Sequence, residues 1–252
     1  MLDVQPKKRD VLQAENDATK LLKKLVTEAV IKEQKPITVY IGNRIITDVV
    51  DADNKHIRGD PKADIALISD KGINVGFISH KKEGGAKAFQ QYGGMSAKSG
   101  FKIYNSPIVS AFVRDLESHV QEKFGNNTLQ SGNAIYRLIP NDVEGQQLLS
   151  LSIYGPEWSK GSRYSLQSVH CIGQGSPILN RNINDGSYVL KFSDNMHIAT
   201  DLRWAFTGDF AGVLGVTYRG GRRVENSGYV VRSARAGIYP LQFMKNRNSI
   251  QI

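Results

Sequence analysis

Apolar residues near the start of the chain recur with two different periods. Between residues 10 and 33, Val11, Ala14, Ala18, Leu21, Leu22, Leu25, Ala29 and Val30 return at three- and four-residue steps. That spacing predicts an amphipathic helix over 10–33, with Asp10 able to cap its start. Pro36 pushes the residue before it out of the α region, so the helix should stop at or before Lys35. The period then falls to two. ITVYI and RIITDVV read as strands joined at Gly42–Asn43. After the polar loop DADNKHIRGDPK, ADIALIS and NVGFISHK read as two more strands around an Asp70-Lys71-Gly72 turn.

Further along, a short helix is expected from Ala86 to Tyr92, between the glycine pairs of EGGAKAFQQYGG. A longer one covers SPIVSAFVRDLESHVQEKFGNN, with Ser106 as cap, Pro107 in the first turn and Gly125 at its end. Ile108, Phe112, Val113, Leu116 and Val120 mark its apolar face, and DVEGQQLLSLSIYG predicts another helix. From about Ser162 the texture shifts to short strands separated by turn signals such as NDG and RGG. The layout is α/β: a mixed sheet flanked by helices in residues 1–155, then a β-rich part in 156–252, with one continuous domain as the alternative. No internal repeat or low-complexity segment interrupts it.

Composition narrows the classes. The chain has 252 residues, 40% hydrophobic and 23% charged, which suits a folded domain with an ample core. No apolar run approaches the roughly 18 to 20 residues that a membrane helix needs. MLDVQPKKRD lacks the apolar stretch of a secretory signal, and the single cysteine, Cys171, excludes an internal disulfide and a cysteine-rich zinc site. A reducing cytoplasm is the expected location. Lysine and arginine number 33 against 24 acids, a formal charge of +9, and that excess favours polyanionic partners, nucleic acid above all.

Strand alternation gives the second hairpin a chemistry. Val75, Phe77, Ser79 and Lys81 share one face, and a hairpin register can bring Asp64 beside Ser79 and Lys81. A carboxylate and a lysine at the end of a sheet suit Mg²⁺, which takes carboxylate oxygens, backbone carbonyls and water. There the lysine ammonium can orient or help deprotonate a water, or stabilise charge on a phosphate.

The pattern Pro61-Lys62-Ala63-Asp64 followed by Ser79-His80-Lys81, across two strands after an N-terminal helix, resembles the PD-(D/E)xK nuclease superfamily. Short type II restriction endonucleases and phage-encoded nucleases offer the nearest look. The resemblance covers roughly residues 10 to 125. It implies a restriction-endonuclease-like fold and Mg²⁺-dependent hydrolysis of phosphodiester bonds, with Mn²⁺ as a substitute. It also implies Asp64, Ser79 and Lys81 as catalytic residues, and Asp64 with the His80 carbonyl as metal ligands. The chain departs from the family at Ser79, which stands where an acid is usual. The replacement acid would come from Glu28 or Glu15 on the first helix, from Asp48, Asp51 or Asp60, or from Glu83; sequence selects none of them, and Glu28 is carried as one metal candidate.

The basic charge concentrates late. Residues 218–247 carry Arg219, Arg222, Arg223, Arg232, Arg235, Lys245 and Arg247 against one acid, Glu225. Arginines on a glycine-bearing hairpin suit phosphate contact and readout of guanine edges. Lys82 and Lys87 extend the basic surface from Lys81. His56, His119 and His197 form no catalytic set, and no phosphate-loop motif occurs. The expectation is therefore an endonuclease on double-stranded DNA, acting in the cytoplasm or, if phage-encoded, in that of the host, with a homodimer left open. The competing class is a catalytically inactive DNA-binding or virion structural protein that keeps the fold.

Overall fold

The computed structural model describes residues 6–54, 62–95, 106–155, 164–218, 231 and 234–252. Helix α1 runs over Pro6–Glu33 and ends where Gln34 turns to a φ of 54°, two residues ahead of Pro36. Strands β1 (Ile37–Ile41) and β2 (Arg44–Asp53) form the first hairpin, with Gly42 at a φ of 61° in its turn. Strands β3 (Ile65–Ser69) and β4 (Asn74–Lys81) form the second. A single 3-10 turn over Gly85–Ala88 replaces the helix expected from Ala86 to Tyr92. Glycine explains the difference: Gly84 and Gly85 take φ values of 131° and 57°, and Gly93–Gly94 is drawn out as the short strand β5.

The remaining elements are α2 (Pro107–Phe124), β6 (Asn133–Leu138), α3 (Val143–Tyr154), β7 (Cys171–Gln174), β8 (Pro177–Arg181), β9 (Tyr188–Phe192), β10 (Met196–Ile198), β11 (Gly212–Tyr218), β12 (Ala234–Pro240), α4 (Leu241–Lys245) and β13 (Asn248–Gln251). The protein is thus mixed α/β, with four α-helices among the described residues. None of them is long and apolar enough to cross a membrane.

Two compact units emerge, Met1–Ala88 with Tyr154–Asp201 and Phe89–Ile153 with Leu202–Ile252. The sequence places one boundary near residue 155, but each unit draws on both halves of the chain. The late strands complete both sheets rather than forming a β-rich part of their own. The reason is edge pairing. β4 is buried along most of its length, so its second edge needs a backbone partner, and β7 supplies it from ninety residues downstream. No local pattern announces such a pairing.

The first unit holds an eight-stranded sheet in the order β10-β7-β4-β3-β2-β1-β9-β8. β1 to β4 form an antiparallel meander, while β7 joins β4 and β9 joins β1 in parallel. Helix α1 buries Ala18, Leu22, Val26 and Ala29 in one core with Val39, Val49, Ile65, Leu67 and Ile78. The sheet curls strongly. Four strands separate β7 from β9, yet a Cβ on Gly173 of β7 would lie 2.3 Å from the Phe192 ring of β9. Only glycine fits there.

The second unit is a five-stranded sheet in the order β13-β6-β11-β12-β5. Ala134, Val213, Tyr239 and Met244 form a core cluster in it, and α2 buries Val109, Phe112, Leu116 and Val120.

His170 is built into the first unit as a neutral ring. The Phe77 N–H donates to its Nδ1 at 3.1 Å, and the ring stacks between Phe77 and Tyr164 at centroid distances of 5.9 and 3.8 Å. Burial pulls its pKa down to about 4, and does the same to His197. An unfolded histidine titrates near 6.5, so between these values the unfolded chain binds more protons and stability rises with pH. The unfolding free energy from denaturant melts should therefore fall as pH drops from about 6.5 towards 4, by on the order of 2 kcal/mol for His170. His170→Asn, which keeps an acceptor for the Phe77 N–H, should flatten that dependence. A second expectation concerns the curl: Gly173→Ala forces a methyl against Phe192 and should cost about 1–3 kcal/mol in urea unfolding.

Candidate functional site

The site forms where β3 stops short of β4. Lys62 and Ala63 both donate their N–H groups to the Leu166 carbonyl, which leads the chain away from β4 before residue 64. Asp64 makes the last backbone bond at that end, N–H to the Ile78 carbonyl at 2.8 Å. The peptide groups of His80 point the same way as those of Ile78, since strand residues alternate their hydrogen-bonding edge. With β3 gone, His80 has lost its backbone partner there. The Asp64 carboxylate takes that place, and its Oδ2 accepts the His80 N–H at 2.7 Å.

Ser79 and Lys81 complete the cluster. The Ser79 hydroxyl donates to Asp64 Oδ2 at 2.9 Å and accepts from Lys81 Nζ at 3.1 Å. The Lys81 ammonium also donates to the His80 carbonyl at 2.9 Å and lies 3.5 Å from Asp64 Oδ2. Ser79 is buried, while Asp64 and Lys81 are partly exposed, so the cluster opens to solvent on one side. Every bond to the Asp64 carboxylate among the described residues falls on Oδ2.

A second acid comes from α1. Glu15 sits three residues before Ala18 on the seam of Ala18, Leu22, Val26 and Ala29, where the helix pattern calls for an apolar side chain. Burial raises its pKa, the Asp64 charge raises it further, and the Lys81 ammonium acts against both. Glu15 thus shares the electrostatic environment of Asp64 and Lys81. Glu28, the helix acid taken from sequence for the metal, is exposed and lies 3.8 Å from Lys24. Thirteen residues separate the two glutamates, which is about 20 Å of helix and more than half a turn of rotation. Asp51 is occupied by Lys23 at 2.7 Å, Glu83 is exposed, and Asp60 lies outside the described residues.

His80 is not poised as a proton acceptor to solvent. Its Nε2 bonds the Gly175 carbonyl at 2.9 Å, so Nε2 carries the proton and Nδ1 the lone pair. Burial, the largest influence, holds its pKa below the usual imidazole range. The contribution of His80 to the cluster is its peptide group.

Among the described residues no three His, Cys, Asp or Glu side chains converge as a metal site. The oxygens that the hydrogen bonds gather are the Asp64 carboxylate, the Ser79 hydroxyl and the His80 carbonyl, and the Glu15 carboxylate is within electrostatic reach of them. All are oxygens, which fits a hard cation such as Mg²⁺ and not a soft one. Of the expected DNA-contacting residues, Lys82, Lys87 and Arg235 are exposed, and Arg235 donates to Gln91 Oε1 at 2.9 Å. Arg219, Arg222, Arg223 and Arg232 lie outside the described residues. Sequence reasoning passed over Gln174, which is fully buried on β7 in register with Lys81. Comparison with family models, curated proteins and solved structures returned no match.

The raised Glu15 pKa has a sign that can be checked. A carboxyl whose folded pKa is raised favours folding while protonated and opposes it once pH rises through the folded value. Glu15→Gln should therefore raise the melting temperature of the metal-free protein at neutral pH by a few degrees. The same variant should lose most of any stabilisation that millimolar Mg²⁺ gives the parent, read by differential scanning fluorimetry.

Proposed function

We propose that the protein is a divalent-metal-dependent endonuclease that hydrolyses phosphodiester bonds in double-stranded DNA. The observation that carries this reading is the convergence of Asp64, Ser79, the His80 carbonyl and Lys81 at a strand end, with Glu15 close enough to feel their charges. The family resemblance and the formal charge of +9 point the same way.

On this reading Asp64, Glu15 and the His80 carbonyl would hold Mg²⁺, with Ser79 as a weak ligand or a support for Asp64. When bound, the ion supplies a Lewis acid that withdraws charge from the phosphate and makes water a better nucleophile at neutral pH. The chain does the rest. The Ser79 hydroxyl and the His80 N–H fix the Asp64 carboxylate by its Oδ2 atom. Lys81 holds the attacking water or the charge that builds on the phosphoryl oxygens, and an ammonium serves either purpose without losing its proton. Lys82 and Lys87 neutralise neighbouring phosphates, a contribution that weakens with salt. Arg235 and the neighbouring arginines grip the duplex.

A second reading has its own observation. The Lys81 ammonium already satisfies oxygens that a metal would take, and among the described residues Asp64 and Glu15 are the acids whose charges meet there. Such a site is balanced without metal, as in a nuclease-like protein that binds DNA and does not cut it.

Plasmid cleavage separates the two. With Mg²⁺ or Mn²⁺ the parent should nick or linearise supercoiled plasmid, and Asp64→Ala and Lys81→Ala should each lower the rate at least 100-fold. Cleavage that survives both substitutions overturns the site. A parent that binds plasmid but leaves it intact over a range of metal and salt favours the binding module.

A further inference from the structure

A cation already occupies the candidate metal centre, and it belongs to the chain. Lys81 Nζ lies 2.9 Å from the His80 carbonyl, 3.1 Å from Ser79 Oγ and 3.5 Å from Asp64 Oδ2. These are three of the oxygens assigned above to Mg²⁺ or to its immediate support. An ammonium and a divalent ion cannot share them, because two positive charges a few ångströms apart in a partly buried site repel strongly. A metal that takes these three oxygens must displace Lys81.

The structure also offers a place for it to go. Gln174 stands on β7 directly in register with Lys81 of β4. In a parallel pair, partners in register project to the same face. The Gln174 side chain is completely buried, and its Nε2 donates to the Gly85 carbonyl at 2.8 Å, which fixes the amide orientation. Among the described residues its Oε1 is buried with no hydrogen-bond partner. An unpaired buried carbonyl costs about 1–3 kcal/mol, so a protein that keeps one has a use for it or bears the cost. Lys81 stands in register beside it, and its flexible stem lets the ammonium swing between neighbouring strands.

We propose that Lys81 is a two-position cation. In the metal-free protein it rests on Asp64, Ser79 and the His80 carbonyl and substitutes for the divalent ion. When the ion binds, the ammonium moves to Gln174 Oε1, where it remains beside the site and faces the substrate phosphate. Gln174 is then a positioning residue, acting through Lys81 and not on the ion. This rests on the metal-binding reading of the site but not on cleavage. It explains how two carboxylates and one lysine are stable together without metal, and why a buried amide oxygen is left open on the next strand.

A double-mutant cycle tests it, with calorimetric titration of Mg²⁺, and of Ca²⁺ as a second probe, into the intact chain. Lys81→Met should bind metal at least tenfold more tightly than the parent, because no resident ammonium has to be displaced. Gln174→Leu should bind three- to tenfold more weakly than the parent, because the displaced ammonium has lost its acceptor. The two changes should not add: in the Lys81→Met background, Gln174→Leu should leave metal affinity unchanged. General loss of positive charge explains the first effect alone, and only the coupling requires the swing. Gln174→Glu, which keeps the acceptor, guards against a simple packing defect and should restore affinity to at least the parent's.

The proposal is overturned if Lys81→Met binds metal no more tightly than the parent, or if Gln174→Leu weakens binding equally in both backgrounds. Absence of metal binding by every variant overturns it together with the metal-centre reading. Failure of the nuclease reading alone looks different: plasmid stays intact while the metal affinities and their coupling persist.

Discussion

One hydrogen bond sets up the rest of the first unit's chemistry: the His80 N–H held by Asp64 Oδ2 at 2.7 Å. A sheet strand that outruns its neighbour leaves peptide groups unpaired, and buried ones must be satisfied. Here β4 continues past the point where β3 turns away to Leu166. The carboxylate of the first residue before β3 closes the gap. Its cost is a negative charge placed at a half-buried strand end, and that charge then has to be answered. Lys81, two residues on from Ser79 along the same face, answers it. The His80 carbonyl, released from pairing by the same strand ending, becomes a further oxygen aimed at the ammonium. The cluster therefore follows from how the hairpin terminates.

Much of that cluster was legible from sequence because its parts are local. Asp64, Ser79 and Lys81 lie within one hairpin, and the period of two together with a tight turn sets their faces and a register that puts them together. The end of α1 before Pro36 and the capping glycine of α2 were readable for the same reason, since both depend on the conformational limits of single residues. Glu15 was within reach as a signal but competed with other acids. Its distinguishing mark is position: it continues the buried seam of α1, where an acid is out of place unless something needs it. Glu28 lacks that mark, being thirteen residues further along and rotated off the seam.

What the sequence hid is pairing at long range. β7 lies alongside β4, and β9 alongside β1, through registers that no periodicity encodes. The curl that lays Phe192 over Gly173 depends on the whole sheet. Gln174 is a consequence of the same blindness, because its relation to Lys81 exists only once β7 is placed. The division of late strands between two sheets escaped for this reason too. Short strands rich in turn signals look alike whether they complete a distant sheet or build one of their own.

The serine at position 79 also has a physical logic once the bonds are known. Its hydroxyl donates to Asp64 and accepts from Lys81 at the same time. A carboxylate there could only accept, so it would face Asp64 Oδ2 across a hydrogen-bond distance with no proton between them. Like charges so close raise one pKa sharply and destabilise the site unless a cation is always present. With serine, the residue bonded to Asp64 is neutral, and the acid that feels the Asp64 charge stands on α1, where burial raises its pKa. The serine thus lets Asp64 and Lys81 pair through a neutral bridge instead of setting two carboxylates against each other.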